Sequence, residues 1–370
     1  MKILILGDPG SAHVIKWVKY LCNKSINIYL FGLNEFEEKE YLGIENLKIK
    51  SLNMNGEIFK KQDGNFTKLN YLKAIPIIKK IIQEFKPDIM HAHYASSYGL
   101  LGALSGFHPY ILSVYGSDVF NFPNRNFLTK YLFRFNLRRA DKILSTSRIM
   151  AKEIRIYTEK EIEVTPFGID IDVFKPLKVE NIFNKDDIVI GTIKSLEKKY
   201  GIEYLIRAFK QLKENNYPQK LKLLIVGGGT LEKHLKNLVK ELDLWDFTMF
   251  TGYIPPKEIP KYHNMLDIYA SLSIEASESF GVAVLEASAC EKPVVVSNIG
   301  GLPEVVINNT TGFLVEKENV NEISRTLERL ILNEKLRKEL GTNGREFVIK
   351  SYNWKNNVES MINIYNNLLK

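Results

Sequence analysis

Short, largely apolar runs, bounded by turn residues, alternate with longer amphipathic stretches along the whole chain. A strand with no polar face is covered on both sides. A helix placed between two such strands returns the chain to start the next one alongside, so the rhythm reads as parallel sheet sandwiched by helices. In the first half, strands are expected over 3–6, 26–31, 47–52, 88–93, 110–114, 142–146 and 162–165, and helices over 12–23, 69–85, 124–139 and 147–157. The second half resumes the rhythm with strands over 188–193, 221–226, 247–250, 268–272, 293–297 and 312–315. No internal repeat or low-complexity segment interrupts it.

The fold class is therefore α/β, in two halves. At roughly 100–200 residues per domain, 370 residues accommodate both. Pro166, Gly168 and Pro176 punctuate the chain between them. The expected division is an N-terminal domain over 1–175, a C-terminal domain over 176–351, and a closing helix over 352–370 free to pack on either half, including back on the first. With 45% hydrophobic and 25% charged residues the chain is neither disordered nor fibrous. No apolar run approaches the ~18–20 residues that span a bilayer, and the opening segment lacks the form of a signal peptide. Cys22 and Cys290 are too few and too far apart for a disulfide framework or a cysteine metal site, so a reducing cytoplasm is the expected compartment. Of the net charge of +8, nearly all sits in residues 1–180, where 26 basic residues face 19 acidic ones. The first half is the better candidate to meet something anionic.

In open α/β sheets ligands bind beyond the carboxyl ends of the strands, so chemistry is sought in the loops that follow them. Two facing halves of this kind would form a deep cleft, a common place for a small-molecule site. The first strand ends in Gly7-Asp-Pro-Gly10-Ser-Ala-His13, either a phosphate approach or a plain strand-to-helix turn. Its proline and missing third glycine separate it from a dinucleotide fingerprint. Lys194, Lys198 and Lys199 follow a strand of the second half, placed to neutralise a diphosphate or simply solvated. Gly227-Gly-Gly-Thr230 is ambiguous in the same way.

The segment from Asp267 to Ala287 says most. A strand ends near Leu272, a polar loop carries Glu278, and Gly281 opens a helix rich in small residues that includes Glu286. The spacing alone carries little, because with 43 acids in 370 residues another acid lies eight places on about one time in eight. The context carries more. The N–H groups of Gly281 and Val282 fall at a helix start, where an anion is favoured, and flanking carboxylates accept hydrogen bonds from vicinal hydroxyls. A plain alternative is an acid stabilising its own helix, with the second Glu on a wet face.

This stretch resembles the Glu-x7-Glu motif of the retaining GT-B glycosyltransferases of group 1, or glycosyltransferase family 4. The likeness is strongest from Val189 to Val315, through Lys194, Lys199, Gly227-Gly-Gly229, Phe250-Thr-Gly-Tyr253 and Ser297-Asn-Ile-Gly-Gly-Leu-Pro-Glu304. In the first half it rests on the glycine turn, Pro87-Asp-Ile-Met-His-Ala-His93, Tyr115-Gly-Ser-Asp118 and Thr165-Pro-Phe-Gly-Ile-Asp170. The resemblance implies GT-B architecture, two Rossmann-like parallel-sheet domains facing across a deep cleft. It implies that Lys194 and Lys199 hold the donor diphosphate, that Glu278 contacts donor-sugar hydroxyls, and that Phe280, Gly281 and Val282 give backbone contacts to sugar and phosphate. Glu286 would bind the ribose, Gly10 would close on the diphosphate, and His93 would sit beside the reacting sugar. Lys194, Lys199, Glu278 and His93 are thus the expected catalytic group. The family commonly has arginine at the position of Lys194, so a point charge replaces a bidentate fork here. Tyr200 separates Lys199 from Gly201, and Tyr115 stands where many members carry histidine.

The implied reaction is sugar transfer from a nucleoside-diphosphate sugar, UDP-linked by analogy, to a glycan or lipid-linked acceptor in surface polysaccharide or glycolipid synthesis. The sugar nucleotide is a substrate, and neither a cofactor nor a metal is expected. Asp170-Ile-Asp172 has the form of a metal motif from another transferase fold but lies in the interdomain turn. A sugar-nucleotide epimerase or hydrolase, or a non-catalytic binder, are the competing readings.

Residues 121–142 hold six basic residues and one acid. Lys130, Arg134 and Arg138 recur every four positions as one helical stripe, with Phe127, Tyr131 and Phe135 on an adjacent one. The expectation is an amphipathic helix, basic outside and aromatic inside; the sharper reading is a surface for an anionic acceptor or for the inner face of the membrane. No nucleic-acid motif accompanies it.

Overall fold

The computed structural model describes residues 1–54, 72–215, 217 and 220–370. They fall into two compact units, Met1–Pro166 with Asn357–Lys370, and Phe167–Asn356. The first holds seven strands: β1 (Lys2–Leu6), β2 (Asn27–Asn34), β3 (Leu47–Met54), β4 (Ile89–His93), β5 (Tyr110–Val114), β6 (Lys142–Ser145) and β7 (Ile162–Val164). They lie in the order β3-β2-β1-β4-β5-β6-β7, every pairing parallel. The second unit holds β8 (Ile188–Ile193), β9 (Leu221–Val226), β10 (Thr248–Phe250), β11 (Ile268–Ser271), β12 (Val294–Ser297) and β13 (Gly312–Val315), in the parallel order β10-β9-β8-β11-β12-β13.

The central strands are buried throughout, as β4, β5, β8 and β11 show, which is why they lack a polar alternation. One core gathers Leu4, Phe31, Leu112 and Phe133; the other gathers Ile190, Phe209, Leu223 and Leu327. The helix expected over 124–139 starts at Phe127, because Asn126 caps it by accepting the Thr129 N–H at 2.9 Å. The helix expected over 69–85 is described from Ala74 to Phe85, and residues 69–71 lie outside the described residues. Tyr98–Ser105, too uniformly apolar to show a helical stripe, is a further buried helix.

The division falls at Pro166/Phe167 rather than at 175/176. Ile169 donates its N–H to Tyr352 at 2.7 Å and accepts one from Trp354 at 2.9 Å, which ties the residues after Pro166 into the second unit. From Asn357 onward the chain belongs to the first unit, so the boundary expected at 351/352 lies at Asn356/Asn357.

Candidate functional site

In the second unit, β9 and β10 run out to one side of β8, and β12 and β13 to the other side of β11. The strand order reverses between β8 and β11, and a crevice at the carboxyl ends of such a pair is the usual ligand position of an open parallel sheet. Lys194 leaves β8 and Glu278 lies in the loop after β11, one on each side of that point. Their side chains meet, with Lys194 Nζ 2.7 Å from Glu278 Oε2, and only 16% and 9% of their side-chain surfaces are exposed. Both lysines lie over the ring of Tyr200: Lys194 Nζ is 4.6 Å and Lys199 Nζ 4.8 Å from its centroid. The residue that interrupts the Lys-Gly pair therefore serves as a face for both cations.

Two glycine positions shape the Glu278 loop. Gly301 donates to the Glu278 carbonyl at 2.8 Å, and a Cβ on it would stand 2.0 Å from the Ser279 oxygen, so only glycine allows this approach. Gly281, at φ +97°, turns the chain into helix Val282–Ala289, and a side chain there would press into Leu302. Phe280 is buried against Phe167 and Tyr352, which anchors the loop from behind and leaves its backbone at the helix start. The Lys194 turn is fixed by β9: the Lys194 N–H bonds the Val226 carbonyl at 2.9 Å, and the Leu196 N–H bonds Gly228 at 3.0 Å.

Glu286 lies one turn into that helix with 19% of its side chain exposed, so it does not sit on a wet face. Its Oε2 is 3.5 Å from Nε2 of His263, a fully buried residue of helix Ile259–Met265. Nothing in the sequence pointed to His263, a lone histidine in a short helix ahead of β11. Nor was the Lys194–Glu278 ion pair legible, since it joins two loops far apart in the chain.

The first unit holds the other expected residues. Gly10 is exposed, and its N–H is taken by the Asp8 carboxylate at 3.0 Å, so the turn is braced by its own side chain. His91 and His93 share one face of β4, with ring centroids 4.2 Å apart. His91 bonds Tyr365 at 2.8 Å and Ser113 at 2.7 Å. His93 Nδ1 bonds the Tyr115 hydroxyl, and its buried Nε2 has no partner among the described residues. Burial, then the nearby charge of His13, pushes His93 down to about 3; burial likewise holds His91 well below its ordinary value. Both rings are neutral at physiological pH.

Helix Phe127–Arg139 corrects one expectation. Its buried residues are Thr129, Phe133, Asn136 and Leu137, a stripe of their own. Phe127 and Tyr131 consequently lie outside, 87% and 63% exposed, on the same face as Arg134 and Arg138. Only Phe135 of the three aromatics packs against the core. Lys130 is exposed beside them, its Nζ 5.9 Å from the Tyr157 ring centroid. A groove of about 570 Å³ runs past Tyr131, Arg134, Phe135, Arg138 and Ile156.

The Asp172 carboxylate pairs with Lys355 at 2.9 Å, and no cluster of three metal-ligating side chains occurs among the described residues. Both cysteines are free and buried. Among the described residues no helix is long and apolar enough to cross a membrane.

Two parallel α/β units, one carrying paired lysine and glutamate at its switch point, define a protein built on the GT-B plan, and solved structures agree. Sucrose-phosphate synthase from Thermosynechococcus elongatus superposes with a TM-score of 0.83 over 100% of this chain and 99% of its own, at 19% identity. Residues 174–347 match the family described as glycosyl transferases group 1, and residues 2–147 match glycosyl transferase 4-like. The chain belongs to the group 1 glycosyltransferases. It is 29% identical to an uncharacterized glycosyltransferase of Methanocaldococcus jannaschii, over 96% of this chain and 93% of the relative. It is 26% identical to the capsular polysaccharide biosynthesis glycosyltransferase CapM of Staphylococcus aureus, over 90% and 93%.

Proposed function

We propose that this glycosyltransferase moves a sugar from a UDP-sugar to a glycan or lipid-linked acceptor, with retention at the anomeric carbon and without a metal, in surface polysaccharide or glycolipid synthesis. The observation that carries the reading is the Lys194–Glu278 pair, 2.7 Å apart at the switch point, with Lys199 over the same Tyr200 ring as Lys194. Two cations and a carboxylate held together there match a ligand that is diphosphate at one end and polyhydroxylated at the other. On binding, the diphosphate takes over Lys194 and Lys199, and donor-sugar hydroxyls take over Glu278. Each charge exchanges one partner for another, so neither is left bare in a dry site.

As the glycosidic bond breaks, negative charge grows on the leaving nucleoside diphosphate. Fixed ammonium groups and the N–H groups of Gly281 and Val282 stabilise that charge, and losing one such donor costs roughly 3 kcal/mol. The acceptor attacks from the face the diphosphate leaves, and the leaving phosphate takes its proton, so no pair of catalytic carboxylates is required. Glu286 holds the ribose, Phe280 contributes backbone to the sugar and phosphate, His93 serves the reacting sugar as a neutral hydrogen-bonding group, and Gly10 serves the diphosphate. The similarity to CapM supports a surface-glycan product.

A second part of the reading places the enzyme in the cytoplasm at the inner face of the membrane. Lys130, Arg134 and Arg138 share exposed surface with Phe127 and Tyr131, the combination that draws a protein to anionic lipid and wedges aromatic rings among headgroups. Replacing Phe127 and Tyr131 by serine is expected to weaken co-sedimentation with phosphatidylglycerol vesicles at least tenfold; unchanged sedimentation removes this part.

A panel of UDP- and GDP-sugars screened for thermal stabilisation, then for nucleoside diphosphate release with and without glycan and lipid-linked acceptors, tests the main reading. Release that needs an acceptor, with an α-donor giving an α-product by nuclear magnetic resonance, is expected. Donor consumption without an acceptor would replace it with a hydrolase or epimerase, and binding without turnover with a non-catalytic binder.

A further inference from the structure

We propose that His263 is a positioning residue for the nucleotide: its imidazole holds the Glu286 carboxylate in the orientation that receives the ribose hydroxyls. The inference rests on the assignment of Glu286 to the ribose and adds a residue that no part of that assignment requires.

His263 is fully buried, and neither ring nitrogen has a hydrogen-bond partner among the described residues. A phenylalanine or leucine would fill such a place without leaving two polar atoms dry, so packing does not explain an imidazole here. Two aromatic rings pack on the imidazole, Phe174 edge-on with centroids 6.0 Å apart and Tyr269 with centroids 5.5 Å apart. Held there, it presents Nε2 to Glu286 Oε2 at 3.5 Å, just beyond a good hydrogen bond. Contacts of this kind are often long before substrate arrives and tighten in the complex.

The chemistry divides the carboxylate in two. Glu286 carries four lone-pair sites on two oxygens. An N–H from His263 occupies Oε2 from inside the protein and fixes the side-chain torsion, which leaves Oε1 to accept from the ribose. Without that anchor the flexible glutamate samples several rotamers, and its hydrogen bonds to ribose must be made at the cost of ordering it. The same logic makes the outer partners of ligand-binding groups matter wherever a site must be pre-organised.

The test uses the full chain and two pairs of probes, UDP with 2′,3′-dideoxy-UDP and GDP with 2′,3′-dideoxy-GDP. The quantity read is the ratio of affinities within the pair that binds better. Wild-type protein is expected to favour the ribonucleotide at least tenfold. Glu286→Ala is expected to reduce that ratio below threefold. His263→Phe is expected to do the same while binding the dideoxy compound within threefold of wild type, and His263→Gln, which restores an N–H, is expected to recover part of the preference. A residue that merely stabilised the fold would weaken both compounds alike and leave the ratio standing.

If Glu286→Ala loses the preference and His263→Phe keeps it, the positioning role is overturned and the ribose assignment survives. If Glu286→Ala keeps it, the ribose assignment falls and the inference with it. Should the phenylalanine variant not fold, the wild-type imidazole answers instead. Its Nε2 resonance is expected to shift on adding the ribonucleotide and not the dideoxy compound, and an equal shift with both overturns the role.

Discussion

At the scale of single residues, the two lysines of the proposed donor site are separable by what each leaves behind. Lys199 is half-buried against Tyr200 and has no buried anionic partner among the described residues. Lys199→Ala should therefore lower kcat/KM at least tenfold with little change in the urea midpoint. Lys194→Ala removes the partner of a carboxylate whose side chain is 9% exposed, and an orphaned buried charge is expensive. It should cost about 2–3 kcal/mol of stability as well as activity, read from the same urea titration; equal midpoints for the two variants would contradict the ion pair. The histidines of β4 give a pH signature. The unfolded chain takes up protons below about 6.5, whereas the folded one resists until His93 reaches about 3. Stability contributed by the neutral rings is thus complete above the unfolded value and is lost as pH falls, at about 1.4 kcal/mol per pH unit for each histidine. His93→Gln should flatten the fall in urea midpoint between pH 6 and pH 4; a parallel fall would show that other groups govern it. Sequence reading singled out Lys194, Lys199 and Glu278 in strand-following loops and Glu286 in the helix that Gly281 opens, and gave them roles only through the resemblance to a family. It did not reach His263 or the pairing of Lys194 with Glu278, which exist only once β8 and β11 lie side by side.

At the scale of elements, the apolar runs marked every strand in the described part of both sheets, and four of them, β5, β8, β9 and β13, have the ends expected. Burial on both faces makes that signal independent of partners. Helices were less legible where two faces compete. In Phe127–Arg139 the aromatic residues read as the inner stripe, yet Thr129 and Asn136 take inner positions: Asn136 donates to the Ala95 carbonyl at 2.8 Å. A polar residue that finds a buried backbone partner looks, in sequence, like one facing water. The loops between elements carry a sharper constraint. The Glu278 loop lies against the turn before Leu302 at a distance that admits no side chain on Gly301. Gly301→Ala must push the Ser279 carbonyl away and carry Glu278 with it. Donor affinity is expected to fall at least tenfold in calorimetric titration, with the melting temperature also lowered; wild-type affinity would mean the loop does not position Glu278.

At the scale of the whole molecule, the chain's last segment is spent on its first unit. Residues after Asn356 belong to that unit, where Val358, Met361, Ile364 and Tyr365 are buried and the Tyr365 hydroxyl reaches His91. Each buried side chain of this kind contributes about 1.5–3 kcal/mol, while a domain's entire margin is about 5–15 kcal/mol. The segment is thus a structural part of the first unit and no appendage, although its sequence, a helix following the last strand, offered no reason to prefer one half. Its neighbours in space are strands coded hundreds of positions earlier, and helical periodicity says which face is buried without saying against what. A chain ending at Asn356 should show the consequence locally. By hydrogen exchange, β1, β4 and β5 are expected to lose protection, and β8, β9 and β11 to retain it, because the second unit's core is complete without those residues. Retained protection in β4 would mean that the first unit closes its core without them, and the buried contact between Tyr365 and His91 would then carry no stability.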